Sequence, residues 1–435
     1  MTLAHALLDL PRTITLAGAP SERGPNGEVV VTGSYLVPPR TCGREHCCHQ
    51  IAWNAPKPRT LQHMTAGRRR VWLQLEVGQY RCASAGHTFV ALPPICLPRA
   101  RISLLLTTEV QWLLHLGLPL ATVADLAGLD QATINRVFRL YTDLARARPR
   151  RAPRALGIYE IYFDGKARTV LVSLAPDDRR VVALLPVKSA QAVFEAIHRL
   201  DDPTRIERVV IDLDRAFRAV SRELIRTHCP NADIVHDPFH VIGLAIKAAK
   251  KCLMRIRRQH YPRSSRALNG LGTIMGKAAR DWTAREAALF EATQARHPEI
   301  LEVHAFYQNI RRVYRLDSAD AALRYLAELE KEMERSPVLT NVYTGFFKTV
   351  NAHVDDIVRH FEEALTAGFT ESRNRELRRV YDGGRGWRET SWPTFEALVL
   401  LRYGDWTYQH LQSLWADHVN RTLASIEFDE PDGDG

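Results

Sequence analysis

Two acidic residues that lie far apart in the chain are candidate ligands for a divalent metal. Asp212 ends the apolar run 206–212, which is typical of a buried strand, and Glu371 lies near the start of a predicted helix within 370–374. Cleavage and joining of phosphodiesters need an activated water or 3′-hydroxyl and a stabilised leaving oxygen. Two divalent metals about 4 Å apart, held by clustered carboxylates, supply both. The pair therefore predicts a metal-dependent phosphoryl-transfer site, with Asp237 after the next strand as a neighbouring acid.

A second set of chemically active residues lies between positions 42 and 87. Cys42, Cys47, Cys82 and His87 offer thiolate and imidazole ligands around a predicted strand pair, and such ligands suit a tetrahedral zinc ion. A small sheet with little core would gain stability from that metal. Because the usual two-residue ligand spacing is absent, ordinary reduced cysteines are the alternative interpretation.

Residues 101–144 show the periodicity of helices interrupted by a sharp turn. Pro119 opens one helix, Gly128 suits the residue that must turn, and Asp130 is a typical N-cap for the next helix. These signals predict a helix-turn-helix. Its second helix presents polar side chains that can reach base edges in a major groove, namely Gln131, Thr133, Asn135 and Arg136. Two packed helices without a DNA role are the alternative, and the predicted packing face is Ala124, Leu126, Ile134 and Val137.

Positive charge dominates the chain and concentrates after this motif. The net charge is +10, and residues 146–155 form a basic linker broken by Pro149 and Pro153. Lys and Arg side chains that neutralise phosphates release counterions and bind nucleic acid of any sequence. We expect Arg146, Arg148, Arg150 and Arg151 to contact double-stranded DNA.

The segment after the linker has the order βββαβαβ. Three strand signals follow one another closely, with Asp164 and Gly165 as the first hairpin turn, and helices then alternate with two further strands. This order predicts an RNase H-like core. Residues 241–367 are helical almost throughout, which is more than one crossover needs and predicts an all-helical insertion.

The predicted fold class is thus α/β plus all-α, with the RNase H-like core preceded by a zinc-ribbon-like module and a helix-turn-helix. The predicted segments are a weakly structured lead-in (1–37), the zinc-ribbon-like module (38–98), the helix-turn-helix (99–145), the basic linker (146–155), the first part of the core (156–240), the helical insertion (241–367), the C-terminal part of the core with the third acid (368–426) and an acidic tail (427–435).

Composition excludes several classes of protein. Hydrophobic residues make up 46% and charged residues 25%, which is typical of a globular protein. No stretch approaches the ~20 apolar residues of a membrane span, and the first residues lack a secretory leader. The 7 cysteines do not form the pattern of a secreted disulfide framework. We expect a cytoplasmic, nucleoid-associated bacterial protein.

With these motifs in hand, the chain resembles the DDE insertion-sequence transposases of the ISL-three type over nearly its whole length. The most specific match is 233–240, Asp-Ile-Val-His-Asp-Pro-Phe-His, which is similar to the family's strand followed by Asp-x-Phe-His. Residues 370–374, followed by Gly-Arg-Gly-Trp at 384–387, look like the family's third-acid helix and the signature after it. The resemblance implies that Asp212 and Glu371 are the second and third catalytic acids, with Asp237 and His240 as accessory residues.

The first acid is where this sequence departs from the family. The family pattern Gly-Ile-Asp-Glu is here Gly-Ile-Tyr-Glu, so that Tyr159 replaces the metal-bridging carboxylate. A phenol is neutral at pH 7, with a reference pKa of about 10, and is a poor ligand for Mg²⁺. Asp164 is a candidate substitute and Glu160 a weaker one, because side chains alternate along a strand and Glu160 would need a bulge.

Three functions remain open at this stage. The first is a transposase that recognises terminal inverted repeats, uses Mg²⁺ or Mn²⁺ to cut and join target DNA, and acts as a homo-oligomer, as the resemblance implies. The second is a catalytically impaired protein of the same descent that acts as a regulator or architectural factor. A different nuclease of RNase H-like fold is the third and weakest.

Overall fold

The computed structural model describes residues 3–23, 27–39, 42, 50–66, 69–84, 86–211, 227–263, 268–363, 368–383 and 392–426. The chain divides into two compact units. One consists of Met1–Arg148 with Pro393–Gly435, and the other of Pro149–Trp392. The first boundary falls within the predicted basic linker.

A six-stranded sheet occupies the start of the first unit. Its strand order is β1-β3-β5-β4, with β2 beside β3 and β6 beside β5. Val71, Leu73, Leu75 and Val77 alternate along β5 and are each at most 2% exposed, so one face of the sheet carries the core. The elements are α1 (Leu3–Leu7), β1 (Thr15–Leu16), β2 (Ser21–Arg23), β3 (Glu28–Tyr35), β4 (Ile51–Ala66), β5 (Arg69–Cys82) and β6 (Thr88–Val90).

This sheet corrects the prediction of a weakly structured lead-in over residues 1–37. Strand β3 pairs in parallel with β5, from Val29 opposite Val71 to Tyr35 opposite Val77. The run Val29, Val30 and Val31 has the β-branched side chains that favour strands, but its partner lies about 40 residues later, beyond the reach of local periodicity. The lead-in and the predicted 38–98 module therefore share one sheet.

Three helices follow, and they contain the predicted turn. Helices α2 (Leu104–His115), α3 (Leu120–Ala127) and α4 (Gln131–Arg146) are joined by short turns. Gly128 has φ 63°, a left-handed conformation that glycine adopts without strain. The side chain of Asp130 accepts a hydrogen bond of 2.7 Å from the Thr133 backbone N–H. The predicted glycine turn and aspartate cap are confirmed.

The packing face of these helices differs from the prediction at one position. Ala124, Ile134 and Val137 are buried as expected, but Leu126 is 50% exposed. Val123 and Ala127 are buried instead. At 100° per residue, Leu126 lies about 100° from the centre of the face that Val123, Ala124 and Ala127 define.

The end of the chain joins this first unit and corrects a second boundary. Helices α14 (Trp392–Tyr403) and α15 (Tyr408–Ile426) were predicted to belong to the core with residues 368–426. In the structure, Gln412 Nε2 donates to Gln111 Oε1 at 2.9 Å, and the ring of Tyr408 lies 4.7 Å from that of Trp112. An apolar helix face does not specify which core it joins, so sequence proximity to Glu371 was a poor guide.

The second unit is built on a five-stranded sheet of order β10-β9-β8-β12-β13. Strand β8 is antiparallel to β9, which is antiparallel to β10, whereas β12 is parallel to both β8 and β13. Asp164 (φ 48°) and Gly165 (φ 73°) form the β8–β9 turn, with the two positive φ values of a type I′ hairpin. The elements are β7 (Arg150–Arg151), β8 (Ala155–Phe163), β9 (Lys166–Ser173), β10 (Val181–Leu185), α5 (Ala190–His198), β11 (Leu200–Asp201), β12 (Arg208–Ile211) and β13 (Asp233–His236).

The described residues of this unit from 238 to 383 are mostly helical, as predicted for residues 241–367. Phe306, Tyr343 and Phe347 are buried in its core, and the Tyr343 hydroxyl donates to the Val303 carbonyl at 3.0 Å. The protein is therefore mixed α/β with a large helical part. The helices are α6 (Pro238–His260), α7 (Leu271–Ile274), α8 (Ala284–Gln294), α9 (Glu299–Arg312), α10 (Ala319–Arg335), α11 (Pro337–Asn351), α12 (Val354–Val358) and α13 (Gly368–Gly383).

Candidate functional site

The parallel register places the ends of β12 and β13 beside the middle of β8. Ile211 of β12 pairs with Ile158 of β8 on one side and with His236 of β13 on the other. The residues that follow these three in the sequence are Asp212, Tyr159 and Asp237. Asp212 itself lies outside the described residues.

Tyr159 is buried, with 2% of its surface exposed. Its ring lies over Gly157, where an added Cβ would be only 2.4 Å from Tyr159 Cε2. The ring centroid is 6.5 Å from that of His240. Gly157 thus makes room for the phenol, and the phenol occupies the same face of the sheet as His240.

Asp237 and His240 lie at the start of helix α6. Asp237 is fully buried, and its Oδ1 caps the helix by accepting from the Phe239 N–H at 2.9 Å. His240 Nε2 lies 3.9 Å from Asp237 Oδ2, and the His240 side chain is 43% exposed. Burial, followed by the charge of Asp237, raises the pKa of Tyr314. A buried carboxylate and an accessible imidazole therefore meet next to Tyr159.

Glu371 lies in the first turn of α13, as predicted. Its side chain is outside the described part of the structure. Helix α13 packs against β8, where the ring of Tyr381 stacks on Phe163 at 4.6 Å. Helix α13 thus packs against the same strand that contains Tyr159.

The two candidate replacements for the first acid are engaged elsewhere. Glu160 forms an ion pair with Lys188, with Oε2 3.1 Å from Nζ. The β8–β9 register is unbroken from Leu156 to Phe163, so β8 has no bulge to turn Glu160 toward the face of Tyr159. The unbroken register disfavours Glu160 as the missing ligand, and its assignment stays a prediction.

Asp164 lies in the hairpin turn, five residues beyond Tyr159 or about 16 Å along an extended strand. It accepts a hydrogen bond of 2.6 Å from the Tyr381 hydroxyl. Burial, together with this bond, raises the pKa of Tyr381 to about 12. Asp164 therefore fixes the end of α13 to the turn at a distance from Tyr159.

The predicted zinc ligands of the first unit are partly described. Cys42 and Cys82 are buried, and His87 Nε2 lies 3.3 Å from the Cys42 carbonyl oxygen. The Cys82 N–H also donates to the His87 carbonyl at 2.9 Å. Cys47 lies outside the described residues, so the four-ligand set stays a prediction.

A further group of possible metal-ligand atoms, which was not predicted from the sequence, includes the last residue of β13. One atom each of His236, His353 and Asp356 lies within 4.8 Å of the others, and this is the only such trio among the described residues. The available signal was the spacing of His353 and Asp356, three residues apart at the start of α12, which places both on one helix face. We call these residues the histidine–aspartate trio.

The proposed base-reading residues of α4 are not equivalent. Gln131 and Arg136 are exposed, and Asn135 is half-buried. The Thr133 hydroxyl donates to Asp130 Oδ2 at 2.8 Å, so this side chain reinforces the helix cap. Gln131, Asn135 and Arg136 remain placed to meet a ligand.

The four arginines predicted to contact DNA have different surroundings. Arg148 and Arg151 are exposed. Arg146 is 30% exposed and lies 3.1 Å from Asp143 Oδ1. The Arg150 guanidinium donates to the Val182 carbonyl, which holds it against β10, and its role as a phosphate contact stays a prediction.

Two further basic surfaces were not predicted. On α6, Lys247, Lys250, Lys251 and Arg258 are exposed on a helix that begins beside His240. On α13, the exposed residues Arg375, Arg378 and Arg379 follow Glu371.

Comparison with known families agrees with this arrangement. The family model described as a transposase, of the DDE ISL-three type, matches residues 156–394, which is more than half of the chain. The chain therefore belongs to the ISL-three family of DDE transposases. No curated protein matches it. Among the described residues, no helix is long and apolar enough to cross a membrane.

Proposed function

We propose that this protein is the transposase of an insertion sequence, which recognises terminal inverted repeats and catalyses metal-dependent cleavage and strand transfer of double-stranded DNA. Family membership supports DNA as the substrate. The sheet order β10-β9-β8-β12-β13, with one antiparallel meander and two parallel strands, supports an RNase H-like core. The observation that carries the proposal is the register that sets Ile158, Ile211 and His236 side by side.

Helix α13 is suited to bring Glu371, the proposed third acid, to the level of Tyr159. Tyr381 lies on Phe163, and Glu371 is ten residues earlier, or about 15 Å along the helix axis. Tyr159 is four residues before Phe163, or about 13 Å along β8. If α13 runs alongside β8 in the same direction, Glu371 and Tyr159 lie at the same level.

The donors at this site suit Mg²⁺ or Mn²⁺ better than a softer metal. Asp212 and Glu371 would hold the ion, since hard cations prefer carboxylate oxygens. When bound, such ions activate the attacking oxygen and stabilise the leaving one. Asp237 holds the first turn of α6 in place, and the accessible imidazole of His240 can bind a phosphate oxygen or transfer a proton.

DNA recognition is assigned to the first unit and to exposed arginines. Gln131, Asn135 and Arg136 are proposed to read base edges, in the manner of a helix-turn-helix. Arg148 and Arg151 would neutralise phosphates, as would the basic faces of α6 and α13. Because two DNA ends must be joined, a homo-oligomer is the proposed working form, in the cytoplasm at the nucleoid.

A catalytically impaired DNA-binding protein is the second candidate function. It is favoured by the buried phenol at position 159, by the ion pair of Glu160 and by the bond between Asp164 and Tyr381. Neither described carboxylate supplies the ligand that Tyr159 lacks. The regulator and the enzyme share a fold and a partner and differ in chemistry alone.

Nicking and joining of DNA that carries the element's own ends, measured with Mn²⁺ and with Mg²⁺, separates these functions. We expect the wild-type protein to cleave DNA at the element ends, and we expect Glu371→Ala to abolish this cleavage. Tight, sequence-specific binding without any cleavage would identify the regulator. Cleavage that persists in Glu371→Ala would contradict the assignment of the third acid.

A further inference from the structure

The histidine–aspartate trio contains none of the proposed catalytic acids and has a different chemistry. His236 ends β13 and is 1% exposed, while Asp356 of α12 is 5% exposed. The rings of His236 and His353 are 5.0 Å apart and nearly perpendicular, at 81°. Two imidazoles and a carboxylate therefore converge in a buried place.

We propose that His236, His353 and Asp356 bind one Zn²⁺ ion that ties the end of β13 to the start of α12. This site goes beyond the proposed DNA chemistry and does not depend on it. Two nitrogen donors and one oxygen donor are ligands that zinc accepts with tetrahedral geometry. Mg²⁺ prefers all-oxygen surroundings, so the trio selects zinc over Mg²⁺.

The distances suit a metal better than a direct hydrogen bond. His236 Nε2 lies 3.9 Å from Asp356 Oδ2, which is too long for a hydrogen bond. Ligands about 2.0–2.1 Å from a tetrahedral zinc ion lie about 3.3 Å from one another. The ligand atoms of the trio lie within 4.8 Å of one another. Small side-chain rotations would shorten these distances to about 3.3 Å.

Arg359 orients the carboxylate of the trio. Its Nη1 lies 2.8 Å from Asp356 Oδ1, which leaves Oδ2 directed toward His236. Arg359 Nε also lies 3.8 Å from Asp233 Oδ1, at the other end of the same strand. Outer partners of this kind fix the orientation of metal-binding carboxylates.

The location gives the ion a structural role. His236 directly precedes Asp237, which caps α6, whereas His353 and Asp356 belong to a helix more than a hundred residues later. Because this site would form only in the folded chain, metal binding across this separation would stabilise the fold and hold the strand end in place. Zn²⁺ would thus position Asp237 without contacting the substrate.

The test is the zinc content and zinc affinity of the full-length protein, stripped with a chelator and dialysed against Zn²⁺ in excess Mg²⁺. The background is Cys82→Ser, so that the predicted ligands at Cys42, Cys47, Cys82 and His87 do not add a second ion. We expect one Zn²⁺ per chain in Cys82→Ser and an affinity at least about 100-fold lower when His353→Ala is added. His360→Ala is the matched control, because it removes another buried histidine nearby and leaves the trio intact.

Each outcome decides the proposal, and none depends on DNA cleavage. Cys82→Ser protein that takes up no Zn²⁺ overturns it, even if the His353→Ala protein fails to fold. Equal zinc affinity with and without His353→Ala also overturns it. Thermal unfolding gives a second measurement: bound Zn²⁺ should raise the Tm of Cys82→Ser, also with His360→Ala added, but not when Asp356→Asn is added to Cys82→Ser.

Discussion

The helices α3 and α4 and the strand ends of the second unit differ in how their important residues are assembled. In α3 and α4, the turn, the cap and the exposed side chains all lie within Leu120–Arg146. In the second unit, Tyr159 lies in the middle of β8, Asp237 follows β13, and both are almost completely buried. The first region presents side chains to a ligand, whereas the second encloses them in the fold.

Under the proposed function, DNA recognition and DNA chemistry therefore depend on separate groups. An exposed arginine on α4 can be removed without opening a cavity, so its loss should change binding alone. A change among the strand ends alters the donors available to a metal and should change the reaction while DNA binding survives. The predictions below either separate the two regions or show that they are coupled.

The largest expected effect is that of Glu371→Ala. Removal of one carboxylate from a metal site should reduce Mn²⁺-dependent cleavage by about 1,000-fold or more, because each ion stabilises developing charge. DNA affinity should stay within about twofold, since base contacts are assigned to α4. Glu376→Ala, on the same helix, is the control and should leave both unchanged. A parallel loss of affinity and cleavage would show that the two regions are coupled.

Tyr159→Asp should have the opposite effect on the same reaction. A carboxylate in place of the phenol adds the oxygen donor that a second ion needs, so cleavage should rise at least about 10-fold. Tyr159→Phe keeps the ring and removes only the hydroxyl, and its cleavage rate should match that of wild type. If wild type already cuts as fast as Tyr159→Asp, the phenol is no obstacle and the impaired-enzyme hypothesis is wrong.

The contrast between local and long-range assembly explains which features of these regions were predictable from the sequence. The turn at Gly128 and the cap at Asp130 were predictable because each depends on residues within one helical turn. The opposite orientation of Glu160 followed from alternation along one strand. The trio, the partner of β3 and the place of α14 and α15 were not predictable, because each depends on contacts between segments distant in the chain.

Arg136→Ala should affect recognition without affecting the chemistry. One bidentate contact to a base contributes about 1–3 kcal/mol of discrimination, so affinity for the element end should fall about 10-fold to 100-fold. Affinity for unrelated DNA should change little. Competition binding at one salt concentration measures both. An equal loss on every sequence would mean that Arg136 contacts the backbone and that α4 does not read bases.

The smallest effects should distinguish Arg148 from Arg150, which share a linker but not an environment. Exposed Arg148 should bind a phosphate, so Arg148→Ala should weaken binding to all sequences and reduce the salt dependence of affinity by about one counterion. Arg150 donates to the Val182 carbonyl, so Arg150→Ala should instead lower the free energy of unfolding by about 1–2 kcal/mol. Salt titrations of DNA binding and denaturant unfolding of both variants provide the measurements. A reduced salt dependence for Arg150→Ala with unchanged stability would reverse the two roles, because it would show that Arg150 leaves β10 to meet DNA.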